Sequence, residues 1–153
     1  MIANRSCGDC NVCCVVPALD EPDLVKPPGK KCPHSCNGCA IYDRRPKACR
    51  AFYCAWRLMP ELDESWRPDR IGLLGIFDNG VLGFLLVHGV LTKPVLTELR
   101  RLCSRVTVRL GISTDTKFVA QQIELNNLTR REWRGLHRLR SVPLISPQQQ
   151  EDL

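Results

Sequence analysis

The clearest hydrophobic pattern lies in the second half of the chain, where two apolar runs of strand length stand close together. Residues 71–77 and 81–87 form these runs, and a short polar segment that includes Asn79 and Gly80 separates them. Both Asn79 and Gly80 tolerate the positive φ angles that a two-residue hairpin turn requires. The pattern therefore predicts a β-hairpin.

A helix is predicted after this hairpin. Thr92 can cap its amino end, and Pro94 suits its first turn. Val95, Leu99 and Leu102 then recur at helical spacing, which places them on one apolar face. Cys103 follows on the same helix and is predicted to be an ordinary core thiol.

Alternation between apolar and polar residues follows this helix. Val106, Val108 and Leu110 alternate as in a strand, although a helix that continues to Gly111 also fits. The strand is preferred because β-branched residues are frequent here. Residues 117–123 are predicted to form one more strand.

A second helix is predicted near the carboxyl end. Thr129 and Glu132 have the spacing of a capping box, and Leu128 and Trp133 have the spacing of the accompanying hydrophobic staple. The helix that these residues begin should run to about Leu139.

The first third of the chain differs in kind, because it holds nine of the ten cysteines among prolines, glycines and charged residues. Such a segment is too polar to bury a core of its own. Residues 15–31 contain several prolines and charges, and they are predicted to be a linking loop. Something other than hydrophobic burial must therefore hold this part together.

The cysteine spacing is typical of a metal-binding segment. From Cys7 to Cys14 it reads C-x2-C-x2-C-C, and two intervening residues let a tight turn direct both sulfurs at one ion. Core thiols, or disulfides formed during purification, have no reason to recur at this spacing, so we prefer metal ligation. Cys13 and Cys14 should point apart, which suits either two metal sites sharing the loop or one site with a cysteine left over.

The composition fits one ordinary domain, or a small cysteine-rich lobe fused to a modest core, since the chain has 153 residues and a mass of 17.3 kDa. Charged residues make up 25% and hydrophobic residues 44%, close to the average of soluble globular proteins. No apolar run precedes the first cysteine, and none is long enough to span a bilayer. We therefore expect a cytoplasmic protein without a membrane association, in which clustered thiols are more often metal ligands than disulfides.

The cysteine-rich segment also resembles a known family. After C-x2-C-x2-C-C come C-P-H and then G-C-x-I-Y-x-x-R-P-x-x-C-R-x-F-x-C-x-W, which together cover residues 7–56. This order is similar to that of the CxxCxxCC family of zinc- or iron-chelating proteins, often labelled iron–sulfur oxidoreductases. The resemblance implies chelation by eight cysteines, which map onto Cys7, Cys10, Cys13, Cys14, Cys32, Cys39, Cys49 and Cys54. Cys36 is an additional cysteine in this chain.

Two kinds of metal group suit these ligands. Zinc takes four thiolates in a closed tetrahedron, so eight cysteines could form two structural sites. An iron–sulfur cluster also takes four, and C-x2-C-x2-C with a remote fourth cysteine is similar to the bacterial ferredoxin run, although no proline follows Cys49 or Cys54. On spacing we expect an iron–sulfur cluster, with zinc as the alternative. His34 could replace a cysteine, but an imidazole that supports the site or faces solvent is the more common case.

The expected function is metal chelation, with an iron–sulfur cluster serving electron transfer, maturation of another protein or a redox step with an unknown protein partner. The alternative is a zinc-stabilised interaction module whose basic carboxy-terminal helix binds nucleic acid or an acidic protein. That helix carries Arg130, Arg131, Arg134, Arg138 and Arg140. Charge runs are usually solvated faces, so nucleic acid is not favoured. The sequence contains no motif of a catalytic site, and whether the protein is an enzyme stays open.

Together these patterns predict an α+β protein. A cysteine-rich, metal-organised lobe should occupy residues 1–60. A small antiparallel sheet with two helices should form a core over residues 61–142, and residues 143–153 should be a loose tail.

Overall fold

The computed structural model describes residue 2, residues 4–114 and residues 117–140. These residues form two compact units, the first ending at Ile71 and the second beginning at Gly72, whereas the sequence pattern placed a boundary after residue 60. Both units combine short helices with β-strands, which confirms the expected mixture of α and β structure. The tail predicted for residues 143–153 lies outside the described residues.

The first unit is made of short elements joined by turns. Its helices and strands are α1 Val12–Val15, β1 Leu19–Glu21, β2 Leu24–Lys26, α2 Lys47–Ala51, α3 Ala55–Leu58 and α4 Pro68–Ile71. Single 3₁₀ turns occupy Tyr42–Arg44 and Glu64–Trp66. Because each of these helices has only four or five residues, helix propensity by itself contributes little to the stability of this unit.

A short antiparallel ribbon lies within residues 15–31, where the sequence pattern predicted a linking loop. Strands β1 and β2 pair with Leu19 opposite Lys26. Leu24 and Lys26 are buried, whereas Val25 between them is 72% exposed. The loop prediction is wrong here because an alternation over three residues is too short to be recognised in a sequence.

Apolar side chains are also buried in the first unit, which the polar composition of this segment did not lead us to expect. Val12 and Val15 of α1, and Ala55 and Trp56 of α3, are at most 3% exposed. The cysteines are therefore not the sole source of stability, since each buried aliphatic or aromatic side chain also contributes.

The second unit is built around a four-stranded sheet. Its elements are β3 Leu73–Asp78, β4 Val81–Leu86, α5 Lys93–Cys103, β5 Thr107–Thr114, β6 Lys117–Glu124 and α6 Arg130–Gly135. The strands lie in the order β3-β4-β5-β6. Single 3₁₀ turns occupy Leu125–Asn127 and Leu136–Arg138.

The predicted hairpin is confirmed. Strands β3 and β4 pair antiparallel, with Asp78 opposite Val81 at the turn. Asn79 has a φ angle of 47° and Gly80 a φ angle of 78°. Two successive positive φ angles give the turn a twist that matches the twist of the flanking strands.

The prediction that the sheet is antiparallel is wrong at its central pair. Strands β4 and β5 run parallel, with Val81 beside Thr107. Helix α5 lies between them in sequence, and parallel neighbours need a crossover of this kind. The strands predicted at 106–110 and 117–123 are confirmed as β5 and β6, which pair antiparallel. The sheet is therefore mixed.

Helix α5 begins at Lys93, directly after Thr92 as predicted, although the Thr92 side chain makes no capping hydrogen bond. Leu99 and Leu102 are buried, as the apolar spacing predicts. The helix has eleven residues. No helix in the described ranges combines the length and the apolar character needed to cross a membrane.

The capping box of the second predicted helix is confirmed. The Thr129 backbone N–H donates to the Glu132 carboxylate at 2.8 Å, and the Glu132 N–H donates to the Thr129 hydroxyl oxygen at 3.3 Å. Helix α6 ends at Gly135, earlier than the predicted Leu139. A 3₁₀ turn continues it to Arg138, which is the tightening that helix ends commonly show.

Candidate metal centre

The first cysteines lie on a tight turn that leads into α1. The Cys10 N–H donates to the Cys7 carbonyl oxygen at 2.9 Å, and Gly8 inside this turn has a φ angle of 52°. Cys10 is buried. Cys13 and Cys14 follow within α1, so the two-residue spacing forms the tight turn that the sequence predicts.

Arg67 anchors this turn to the end of the first unit. Its guanidinium donates to Asp9 at 2.8 Å and to Asp69 of α4 at 2.7 Å. The bonds to Arg67 lower the pKa of the Asp9 carboxyl, after a larger contribution from its own backbone N–H. The turn is therefore held by Arg67 as well as by its own backbone hydrogen bond.

Backbone contacts join the first cysteine block, residues 7–14, to the second block, residues 32–39. The Cys32 N–H donates to the Cys14 carbonyl oxygen at 2.9 Å, and the Gly38 N–H donates to the Asn11 side-chain oxygen at 3.1 Å. Gly38 has a φ angle of 113°, and a Cβ atom added there would lie 2.6 Å from the Gly8 carbonyl oxygen. Only glycine allows the two loops to approach this closely.

The second block folds back on itself between Cys32 and Cys39. The Ser35 N–H donates to the Cys32 carbonyl oxygen at 3.0 Å, and Ser35 forms an isolated β-bridge with Cys39. Cys36 lies at the tip of this loop and is exposed. The additional cysteine is therefore more exposed than Cys32 and Cys39.

Cys54 lies close to the turn between Cys7 and Cys10. Cys54 precedes α3, and the Arg57 N–H donates to its carbonyl oxygen at 2.9 Å. The Arg57 guanidinium also donates to the Cys7 sulfur at 3.2 Å. Cys49 lies in α2, whose Ala48 N–H donates to the Glu21 carboxylate of β1 at 2.8 Å.

One set of four thiols gathers around the first turn, and we call it the Cys7 group: Cys7, Cys10, Cys13 and Cys54. Burial raises the pKa of Cys10 to about 12, and negative charge at Asp69 and Cys54 adds to the rise. Burial likewise raises the pKa of Cys54, with the nearby Cys7 thiolate contributing. Cys13 has Cys7 and Cys10 among its charged neighbours.

The other four thiols form a second set, which we call the Cys14 group: Cys14, Cys32, Cys39 and Cys49. Burial is the main cause that raises the pKa of Cys39, followed by the thiolates of Cys14 and Cys32. Burial also raises the pKa of Cys49, followed by all three other members of this group. The charge interactions among the eight cysteines that the resemblance singled out thus fall into two sets of four, which the Cys13–Cys14 pair connects.

The doublet connects the two groups, because the Cys13 and Cys14 thiols interact with each other. The Cys13 and Cys14 thiols share a hydrogen bond, which is the largest cause raising the pKa of Cys13 and lowering that of Cys14 to about 7. The positive charges of Lys26 and Arg45 further lower the pKa of Cys14. The interaction between the two thiols is therefore the main cause of the difference between their pKa values.

A buried ammonium lies beside the Cys14 group. Lys26 is 5% exposed, and its Nζ donates to the carbonyl oxygens of Val15 at 2.8 Å and Pro17 at 2.5 Å. Burial lowers the pKa of Lys26, while the thiolates of Cys32 and Cys14 oppose that shift. This charge can offset thiolate charge without being a ligand.

Sequence reasoning missed two cations that interact with the thiols, Lys26 and Arg57. No local signal marks Lys26, because its burial depends on the β1–β2 ribbon. Arg57 follows Cys54 by three residues, which is one helical turn, and that spacing could have indicated a cation near the site.

His34 and Cys103 are not counted in either group. His34 is half-buried and lines a pocket with Arg44 and Arg50. Cys103 lies on α5 in the second unit, where burial raises its pKa. All ten cysteines fall within the described residues, and all are free thiols.

Neither group is a finished coordination site. Among the residues that the structure describes, no three Cys, His, Asp or Glu side chains converge closely enough to hold a metal ion as they stand. No family model, curated protein or solved structure matches this chain. The resemblance to the CxxCxxCC family therefore stays a prediction.

Proposed function

We propose that this protein chelates metal through the Cys7 group and the Cys14 group, and that the native group is an iron–sulfur cluster. The cluster would serve electron transfer, maturation of another protein or a redox step with a protein partner. The observation that carries the proposal is the division of eight cysteines into two sets of four neighbours. Four thiolates are what one zinc ion or one iron–sulfur cluster requires.

The electrostatics of both groups favours a bound cation. Burial raises the pKa of Cys10 and Cys49, so these thiols keep their protons at neutral pH in the metal-free chain. A metal takes the place of those protons and gives each buried thiolate an opposite charge. Lys26 and Arg57 add positive charge at the edge of each group.

Binding would require the sulfurs of each group to draw together. The cysteines lie on turns and on helices of at most five residues. Short elements with little internal hydrogen bonding rearrange at low free-energy cost. The donor set therefore suits a metal in number and type, and its local backbone can adjust to one.

The Cys7 group is the better candidate for iron. It combines C-x2-C-x2-C with the remote Cys54, a spacing similar to that of the bacterial ferredoxin run. The Cys14 group has no two-residue spacing and suits zinc equally well. We also propose the cytoplasm as the compartment, because clustered thiols stay reduced where glutathione and thioredoxin act.

The test is an absorption spectrum with iron, sulfide and zinc analysis on protein purified without oxygen. We expect a brown protein with a broad visible band and matched iron and sulfide. Cys54→Ser should empty the Cys7 group and Cys49→Ser the Cys14 group, each leaving only the metal of the other group. Cys36→Ser is the matched control, since Cys36 is exposed at the tip of its loop, and it should keep the full content.

Two outcomes would change the conclusion. Wild-type protein without bound metal would overturn chelation altogether. A colourless protein with stoichiometric zinc would replace the cluster by zinc and favour the second candidate function.

That second candidate is a zinc-stabilised interaction module. Residues 72–143 hold eleven Lys and Arg but only five Asp and Glu. Their net charge is +6, which equals the net charge of the whole chain. The Arg100 guanidinium lies 5.0 Å from the centre of the Trp133 ring, which brings α5 next to the arginines of α6. Such a surface would bind nucleic acid or an acidic protein, with an affinity that falls steeply as salt rises.

A further inference from the structure

A pocket of about 320 Å³ lies in the first unit and is lined largely by basic residues. Its cations are Arg44, Arg45, Lys47 and Arg50, and the His34 ring is also part of its wall. The volume is at the lower end of the roughly 300–1,000 Å³ that small-molecule sites occupy. The pocket therefore suits a small ligand better than a folded partner.

The carboxylates of this pocket neutralise only part of its positive charge. In the described part of the chain, no carboxylate forms an ion pair with any of its four cations. Glu21 lines the pocket, but its carboxylate accepts a hydrogen bond from the Ala48 N–H. Asp23 is the remaining acid, so four cations face two carboxylates and the pocket has a net positive charge.

Arg45 is held in place before any ligand arrives. Its Nε donates to the Tyr42 carbonyl oxygen at 2.7 Å, and its guanidinium stacks 3.7 Å from the centre of the Tyr42 ring. The terminal N–H groups of a fixed guanidinium suit a phosphate, because two N–H donors of one planar fork can bond two phosphate oxygens at once. A preorganised donor loses less conformational entropy when a ligand binds.

We propose that this pocket binds a small phosphorylated molecule. Several cations around one cavity favour a multiply charged phosphate over a singly charged carboxylate. Glu21 and Asp23 provide acceptors for hydroxyl groups on the rest of the ligand. Arg45 also lies near Cys14 and Cys49, so the ligand would sit beside the Cys14 group.

The test is titration of the whole chain with inorganic phosphate at constant ionic strength, monitored by amide chemical shifts. We expect saturable shifts confined to the residues around the pocket, with sodium acetate at least about tenfold weaker. Arg50→Gln should weaken phosphate binding by at least about tenfold, because Arg50 is exposed and its loss leaves the fold intact. Arg70→Gln is the matched control, since Arg70 is an exposed arginine of the same unit outside the pocket.

Equal weakening in Arg50→Gln and Arg70→Gln would overturn the proposal, because it would reduce the effect to net charge. Shifts that do not saturate, or acetate binding as tight as phosphate binding, would overturn it as well. Metal content measured on the same samples keeps this test separate from the proposed chelation. Protein that binds phosphate but no metal would support the pocket and contradict the metal centre.

Discussion

At the scale of single residues, the Cys13-Cys14 doublet is the position where the Cys7 group and the Cys14 group meet. Cys13 has Cys7 and Cys10 as charged neighbours, whereas the charge of Cys14 raises the pKa of Cys39. Two adjacent cysteines thus serve two groups, which one cysteine could do only by bridging two metals. The hydrogen bond between them makes the two thiols chemically unequal in the metal-free chain.

That inequality predicts a difference in reactivity with iodoacetamide. The hydrogen bond with Cys13 lowers the pKa of Cys14 to about 7, so Cys14 becomes a thiolate as the pH rises through 7. Burial raises the pKa of Cys10 to about 12, so Cys10 stays a thiol up to strongly alkaline pH. In metal-free protein, mass spectrometry should find Cys14 alkylated with a midpoint near pH 7 and Cys10 unmodified at pH 8.

The control for this experiment is Cys13→Ala, which removes the hydrogen-bond partner of Cys14. The pKa of Cys14 should then rise, and its alkylation midpoint should move to higher pH. An unchanged midpoint would show that Cys13 does not lower the pKa of Cys14. Equal reactivity of Cys10 and Cys14 in the parent protein would contradict the difference in burial.

At the scale of elements, the close approach of two cysteine loops depends on Gly38. Its φ angle of 113° is one that residues with a Cβ atom rarely adopt, and that atom would meet the Gly8 carbonyl oxygen at 2.6 Å. Backbone atoms cannot move aside as the end of a flexible side chain can. The loops must therefore separate if Gly38 gains a side chain.

We expect Gly38→Ala to lower the free energy of unfolding by about 1–3 kcal/mol more than Gly8→Ala does. Gly8 is the matched control because its φ angle is also positive, at 52°, while an added Cβ atom would make only an ordinary contact 3.9 Å from Arg67. Urea unfolding followed by tryptophan fluorescence measures both variants. Equal destabilisation would mean that the Gly8–Gly38 contact does not hold the loops together.

The elements that the sequence could predict are those with local signals. The hairpin around Asn79-Gly80 and the capping box at Thr129 are local signals, and both are confirmed. The parallel pairing of β4 with β5 is not local, because it depends on where α5 returns the chain. The β1–β2 ribbon and the burial of Lys26 depend on contacts between short segments with no periodicity. In the first unit, the cysteine spacing indicated the candidate ligands but not their division into groups.

At the scale of the whole molecule, the two units differ in what can hold them together. The second unit has a four-stranded sheet with buried leucines, which is sufficient for a stable core. The first unit has short helices and a two-stranded ribbon, and a ribbon of this size is marginally stable by itself. If metal binds where we propose, it should stabilise mainly the first unit.

Removal of the metal should therefore loosen one unit and spare the other. After chelator treatment without oxygen, we expect amide hydrogen exchange over residues 7–56 to accelerate on the order of 100-fold. Residues 73–86 of the hairpin should keep their protection, because their hydrogen bonds belong to the sheet. Cys10→Ser should reproduce this result without a chelator, and Cys103→Ser, with its cysteine on α5, should leave the first unit protected. Exchange that accelerates equally in both units would show that the protein unfolds as one body, and unchanged exchange over residues 7–56 would show that metal does not organise the first unit.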